Sequence, residues 1–179
     1  MNYRIRTAVP ADEGKIRKLF QEMLRTIDHT DDVKGYGNGD LDRFWSESPD
    51  RIYAAEDGES VAFLSVEIHH DPVDHIYLDD FSVTAAYRNK GIGSALILAA
   101  EAYAEQIGSR AVILHVEKTN TSAMRFYKRL GYAVFRGDGN RLLLKKDIED
   151  KYLRLYCAGI LNVEHLVEIR HVGLEETET

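Results

Sequence analysis

A glycine turn held between two apolar runs does most to limit what this chain can fold into. Ile76 to Val83 is one run; Ala95 to Ile107, rich in alanine, is the other; between them stands Arg88-Asn89-Lys90-Gly91-Ile92-Gly93-Ser94. Strand, glycine turn and helix in that order is a setting in which bare backbone N–H groups point at a phosphate. The first-turn N–H groups of a helix lack intrahelical partners, and the macrodipole adds roughly half a positive charge there. Glycine at 91 and 93 removes the Cβ atoms that would keep a ligand's phosphates off the backbone. Arg88 and Lys90 add side-chain charge, and Ser94 a hydroxyl.

Three phosphate-loop readings compete. A P-loop is excluded, because no Gly-Lys-Ser/Thr follows the glycines. A dinucleotide-binding reading has Gly91-Ile92-Gly93, but Leu96 stands where the third glycine belongs. Glu117, ending the next apolar strand, is where a ribose-binding acid would sit. Yet a strand, helices and a hairpin are expected before the motif, whereas that fold usually begins with it. In the third reading, the segment resembles the Arg-x-x-Gly-x-Gly pyrophosphate loop of the GNAT N-acetyltransferases.

A second motif favours the third reading. Asn120-Thr121-Ser122-Ala123-Met124-Arg125-Phe126-Tyr127-Lys128-Arg129-Leu130-Gly131-Tyr132 is similar to the GNAT pattern Asn-x-x-Ala-x-x-Phe-Tyr-x-x-x-Gly-Phe. Asn120 and Ser122 are suited to cap a short helix, and Gly131 to end it. Ala123, Phe126, Tyr127 and Leu130 share one helical face. The resemblance covers roughly residues 3 to 147, and the only departure of note is the missing proline in Ala85-Ala86-Tyr87-Arg88.

The periodicities predict a matching order of elements. Tyr3 to Val9 reads as a strand, and Ala11 to Ile27 as an amphipathic helix with Ile16, Leu19, Phe20, Met23, Leu24 and Ile27 on its stripe. Residues 28 to 39 form a polar loop, and Leu41 to Ser48 a short helix capped by Asp40. Arg51 to Glu56 and Val61 to His69 are strands joined at Asp57-Gly58, and His75 to Val83 returns as the next. Helix Ser94 to Gln106, strand Ala111 to Glu117, helix 121–130 and strands near 132–136 and 141–146 complete the pattern. The resemblance implies an α/β fold of the α+β kind: a mixed, mostly antiparallel sheet with helices on both faces and a splayed strand pair holding acetyl-CoA. Residues 1–147 would form this domain and 148–179 a C-terminal extension. That extension carries Tyr152, Leu155, Tyr156, Ile160, Leu166 and Ile169, too many apolar side chains for a solvated tail, and is expected to cover the domain's own sheet or to pair with a second copy in a homodimer.

Composition narrows the class further. A chain of 179 residues with 44% apolar residues is sized for one domain with a real core. A net charge of −7 argues against a general nucleic-acid binder and suits a cationic substrate. The single Cys157 allows no internal disulfide, and Tyr3-Arg4-Ile5-Arg6 alternates instead of opening a signal peptide, so a cytoplasmic protein is expected. No apolar run reaches the length of a membrane span.

The resemblance also implies a site. CoA would contact Phe81, Ser82 and Val83 on the strand, Arg88, Asn89, Lys90, Gly91, Ile92, Gly93 and Ser94 in the loop, and Asn120, Ala123 and Phe126 on the later helix. Within that set, the backbone of Phe81 and Val83 would pair with the pantetheine arm. Tyr127 would protonate the leaving thiolate. A lysine-like amine with pKa near ~10.4 is neutral in only about one molecule in 10³ at pH 7, so a base is needed. The candidates are Asp80, Asp79 and Glu67, with Asp79 and Asp80 expected on opposite faces by strand alternation. Asp28, Asp31, Asp32 and His69 are candidates for the acceptor's rim. His69-His70-Asp71 with Asp74-His75 has the composition of a metal cluster, but acyl transfer of this kind uses none, and none is expected. The function so implied is transfer of an acetyl group from acetyl-CoA to a primary amine of a small molecule, peptide or protein. The rivals are a non-catalytic CoA-binding sensor or scaffold, and a dinucleotide-dependent oxidoreductase.

Overall fold

The computed structural model describes residues 2–149. Its strands are β1 Arg4–Thr7, β2 Arg51–Asp57, β3 Glu59–His69, β4 His75–Val83, β5 Ala111–Glu117, β6 Ala133–Asp138 and β7 Arg141–Asp147. The helices are α1 Glu13–Asp28, α2 Ile92–Gln106 and α3 Thr121–Arg129. One sheet runs in the order β1-β2-β3-β4-β5-β7-β6. Every neighbouring pair is antiparallel except β4 and β5, whose connection through α2 makes them parallel.

Alternation along the strands divides the core in two. Ile52, Ala54 and Phe63 turn to one face, where Ile16 and Leu19 of α1 cover them together with Leu41. Tyr53, Ala55, Leu64, Val66, Ile76, Leu78, Val112 and Leu114 turn to the other, under Leu96, Ile97 and Ala100 of α2 and Tyr127 of α3. Helices thus lie on both faces, and β2 and β3 read as nearly continuous buried runs.

Two local expectations fail for identifiable reasons. The helix expected over Leu41–Ser48 is only a single 3-10 turn, Asp42–Phe44. Asp40 does not cap it: its carboxylate takes the Gly37 N–H at 2.6 Å, closing the preceding turn instead. Pro49 then biases Ser48 away from helical geometry. The second failure concerns Asp79 and Asp80, which do not face opposite sides. Leu64 pairs with Phe81 but Val66 with Leu78, so β4 carries one extra residue opposite Ser65. Leu78 and Phe81 both pack toward α2 at a spacing of three, and the two aspartates between them share the α1 side of the sheet.

The extension expected beyond residue 147 begins with Ile148, whose N–H bonds to Arg110 O at 3.0 Å and whose side chain packs on the α2-side core. The rest of that expectation lies outside the described residues. Among the described residues, no helix is long and apolar enough to cross a membrane.

Candidate active site

The site begins where β4 and β5 part. Their ladder runs from His75↔Ala111 to Leu78↔Leu114 and stops there. Beyond it β4 stays paired with β3 up to Val83, and β5 stays paired with β7 up to Glu117. The two strands therefore open a wedge with unpaired backbone on its inner edges. Thr84 N donates to Val61 O at 3.0 Å, and alternate positions of an antiparallel ladder repeat that pattern. Ser82 thus bonds with Phe63, whereas Phe81 and Val83 turn their N–H and C=O groups into the wedge. Val83 O already accepts Arg88 Nε at 2.9 Å from that side. The Ser82 hydroxyl is buried against α1, donating to Leu19 O at 3.2 Å, so only its backbone belongs to the wedge.

At one end of the wedge lies the glycine loop. After a 3-10 turn, Ala85–Tyr87, which does without the missing proline, Asn89 and Gly91 take left-handed backbone at φ 59° and 84°. Gly91 is the N-cap of α2, two residues earlier than the sequence suggests, and no side chain caps that end. The first N–H groups of α2 are thus left for a ligand, and Ile92 is buried as the loop's anchor. A Cβ at Gly93 would stand 3.1 Å from Phe81 Cζ and 3.4 Å from Phe126 Cζ, so this glycine lets both rings close on the turn. Lys90 Nζ rides over the Tyr87 ring at 5.3 Å, and Tyr87 Oη donates to Asp57 at 3.1 Å. The loop has the shape and charge to receive a pyrophosphate.

Helix α3 supplies the other wall. Asn120 Oδ1 accepts the Ala123 N–H at 3.0 Å and caps it as expected, which leaves the amide NH₂ for other contacts. Phe126 stacks toward Phe81 at 6.1 Å and meets Tyr127 edge-on at 5.1 Å. Tyr127 is 8% exposed, and burial first, then the neighbouring Tyr77, push its phenol above the ordinary tyrosine range. It stays protonated across the working pH range and is suited to donate rather than accept.

The carboxylates gather on the opposite, α1-facing side of the wedge. Burial raises the Asp80 carboxyl to about 6; the Tyr36 hydroxyl, bonded to its Oδ2, opposes that rise, and Asp79 and Glu67 reinforce it. Asp79 is raised too, by burial and Glu67, against Arg43, Arg141 and His69. Glu67 is already engaged: Arg43 pairs with it at 3.0 Å and His69 Nε2 at 3.3 Å, while Arg43 also holds Asp50 at 2.8 Å. That pairing makes it the weakest of the three as a base. His69 lies on this rim, stacked on His75 at 5.2 Å. Asp28 ends α1; Asp31 and Asp32 sit exposed on the loop after it, Asp31 at 4.0 Å from Arg25. What that loop brings to the carboxylates is Tyr36. His70 closes on Asp74 at 2.8 Å across the β3–β4 turn, and among the described residues no group of three or more His, Cys, Asp or Glu is arranged to hold a metal.

Sequence reasoning missed a hydrogen-bonded row beside this cluster. Tyr77 Oη meets His115 Nδ1 at 3.0 Å, and His115 Nε2 meets Asp138 Oδ2 at 3.0 Å. A carboxylate only accepts, so Nε2 is the donor to Asp138; with the imidazole neutral, Nδ1 accepts and Tyr77 donates. The one available signal was His115 itself, a polar residue in the apolar strand Ala111–Glu117, just past the last β4–β5 pair.

Comparison with known proteins agrees with this geometry. The family model described as Acetyltransferase (GNAT) family matches residues 16–132. An uncharacterized N-acetyltransferase of Methanocaldococcus jannaschii, MJ1530, is 33% identical over 148 residues, covering 82% of this chain and 84% of its own. Mycothiol acetyltransferase of Corynebacterium efficiens is 34% identical over 90 residues, but that match takes in 50% of this chain and only 30% of the relative. The chain therefore spans about a third of the mycothiol acetyltransferases it matches. Among solved structures, Arabidopsis thaliana NAA60 in complex with acetyl-CoA superposes with a TM-score of 0.66 at 22% identity, over 82% of this chain and all of that one. The matched residues take in the wedge strands, the glycine loop and α3, and the chain belongs to the GNAT acetyltransferase family.

Proposed function

We infer that the protein is an acetyl-CoA-dependent N-acetyltransferase that moves the acetyl group directly to a primary amine. The observation that carries this reading is the end of β4–β5 pairing at Leu78↔Leu114, with the glycine loop beyond one strand and raised carboxylates beside the other. Phe81 and Val83 would hold the pantetheine arm through their backbone, as an added strand. The loop Arg88–Ser94 would hold the pyrophosphate on the α2 N-terminus, with Asn120, Ala123 and Phe126 along the arm. Acetyl-CoA, bound there, supplies a thioester carbonyl as electrophile.

The chain's own groups then manage the protons. The acceptor enters as an ammonium ion from the acidic side and must lose a proton before its nitrogen can attack. Asp80, ionised just below neutral pH, takes that proton. The new C–N bond forms as the C–S bond breaks, and the Tyr127 hydroxyl gives its proton to the departing thiolate. Asp79 attracts the cation and Glu67 is tied to Arg43. A second proton route is favoured by one observation, the Asp138–His115–Tyr77 row, in which Tyr77 can take a proton as it passes its own to His115 Nδ1.

The acceptor class proposed is a small amine or a peptide or protein amine, in a cytoplasmic protein that pairs into a homodimer through residues 148–179. Purified protein given acetyl-CoA with a panel of polyamines, amino sugars and peptides should release CoA with at least one of them. CoA binding without release to any amine would instead favour a sensor or scaffold role. Light scattering on the full chain and on one ending at Asp147 checks the dimer: a full-length monomer at micromolar concentration removes it.

A further inference from the structure

The loop between α1 and the Asp42–Phe44 turn carries one side chain into the site, and α1 fixes it from two directions. Phe20 stacks on the Tyr36 ring with centroids 4.0 Å apart and planes at 15°. Arg17, held by Glu13 at 2.7 Å, donates to Tyr36 O at 2.6 Å and to Gly37 O at 3.1 Å. Asp40 closes the following turn on Gly37 N–H at 2.6 Å. The phenol so positioned donates to Oδ2 of Asp80. An ionised carboxylate has no proton to give, so the bond runs in that direction and favours the charged form. Among the described residues no hydrogen bond engages Asp80 Oδ1. The backbone of Asp80 is clamped as well, its N–H going to Ser65 Oγ at 2.8 Å.

We propose that Tyr36 is a positioning residue for Asp80: its hydroxyl holds one carboxylate oxygen and leaves the other to take the acceptor's proton. The inference rests on Asp80 being the base assigned above. The neighbours set the need for such a donor. Asp79 on β4 and Glu67 on β3 push against the Asp80 charge. The positive side chains nearby act one step away: Arg43 of the Asp42–Phe44 turn and Arg141 of β7 offset Asp79, with His69 of β3 joining them when protonated. Tyr36 is thus the only side-chain hydrogen-bond donor to the Asp80 carboxylate among the described residues. The Tyr36 phenol is itself driven well above the ordinary range, by burial first and then by Asp80, so its proton stays on oxygen and the bond keeps its direction.

Carbon-13 NMR of the full chain labelled at aspartate Cγ tests this without any acceptor. The Asp80 signal is the one lost in Asp80→Asn, and its titration midpoint in the native protein is expected at about 6. Tyr36→Phe keeps the ring and its stack on Phe20 but removes the hydroxyl, and should raise the midpoint by about one pH unit. Phe20→Leu loosens the stack and keeps the hydroxyl, so it should move the midpoint less. A midpoint unmoved in Tyr36→Phe, or moved more by Phe20→Leu, overturns the positioning role. The underlying assignment fails separately: Asp80→Asn with full kcat and an unchanged acidic limb of the pH–rate profile removes Asp80 as base.

Discussion

Ser65 Oγ accepts the backbone N–H of Asp80 at 2.8 Å and donates back to the Asp80 carbonyl at 3.4 Å, across the bulge that turns both aspartates to one face. Ser65 is 1% exposed, so no water replaces it easily. Ser65→Ala should therefore cost about 1–3 kcal/mol in urea unfolding, the penalty for a buried backbone group left unpaired. Because the bulge aims Asp80, kcat should fall as well, while acetyl-CoA affinity measured by calorimetry stays close to native. A Ser65→Ala variant with native stability would mean that the bulge holds itself.

The two loop glycines should respond differently. Gly91 has φ 84°, which any side chain resists, and it caps α2 where phosphate oxygens would lie. Gly91→Val should weaken acetyl-CoA binding by about 2–4 kcal/mol. Gly93 is limited by space instead, since its Cβ would meet Phe81 and Phe126. Gly93→Ala should disturb those rings and lower stability before it touches binding. Native acetyl-CoA should bind with no comparable binding of NAD; the reverse result would overturn the reading of the whole site.

Most of the fold was legible because its signals are local. Strand β5 falls at Ala111–Glu117 as its apolar pattern predicts, and Asn120 caps α3 as its side-chain chemistry predicts. Gly58 and Gly131 take the positive φ their turns require. What failed depended on contacts far apart in sequence. The bulge at Asp79-Asp80 is bonded by the hydroxyl of Ser65, on another strand. Asp40 has the chemistry of a helix cap, and only the fold shows that Gly37 N–H takes it first. Tyr36 reads as an ordinary loop aromatic until Asp80 is brought to it over a separation of 44 residues. His115 and Asp138, 23 residues apart, meet only because β7 lies between β5 and β6.

Tyr127→Phe tests the proposed acid. The phenyl ring preserves the edge-on contacts with Phe126 and Tyr132, so the fold should hold. Without the hydroxyl the thiolate leaves unprotonated, and kcat should drop about 10–10³-fold with KM for acetyl-CoA nearly unchanged. Full activity on an acceptor whose turnover is limited by chemistry would reduce Tyr127 to a core residue.

Asp80→Asn has a signature in stability as well as in rate. The folded-state carboxyl titrates at about 6, above its ordinary value of 3.8, because burial disfavours the charge. Between those two values the folded protein holds more protons than the unfolded chain, so stability falls as pH rises through that window. Below pH 4 the group is neutral in both states and costs nothing; above pH 6 the full cost of a buried charge applies. Asparagine never ionises and avoids that cost. The variant should gain about 1–2 kcal/mol relative to native at pH 7.5, after allowance for solvent screening, and that gain should vanish toward pH 4. The same variant should lose the acidic limb of kcat/KM, since the group whose protonation defines it is gone. Thermal unfolding at both pH values, set beside the pH–rate profile, checks the pair of effects. A variant less stable than native at pH 7.5 would show that the carboxylate's bond to Tyr36 outweighs its desolvation.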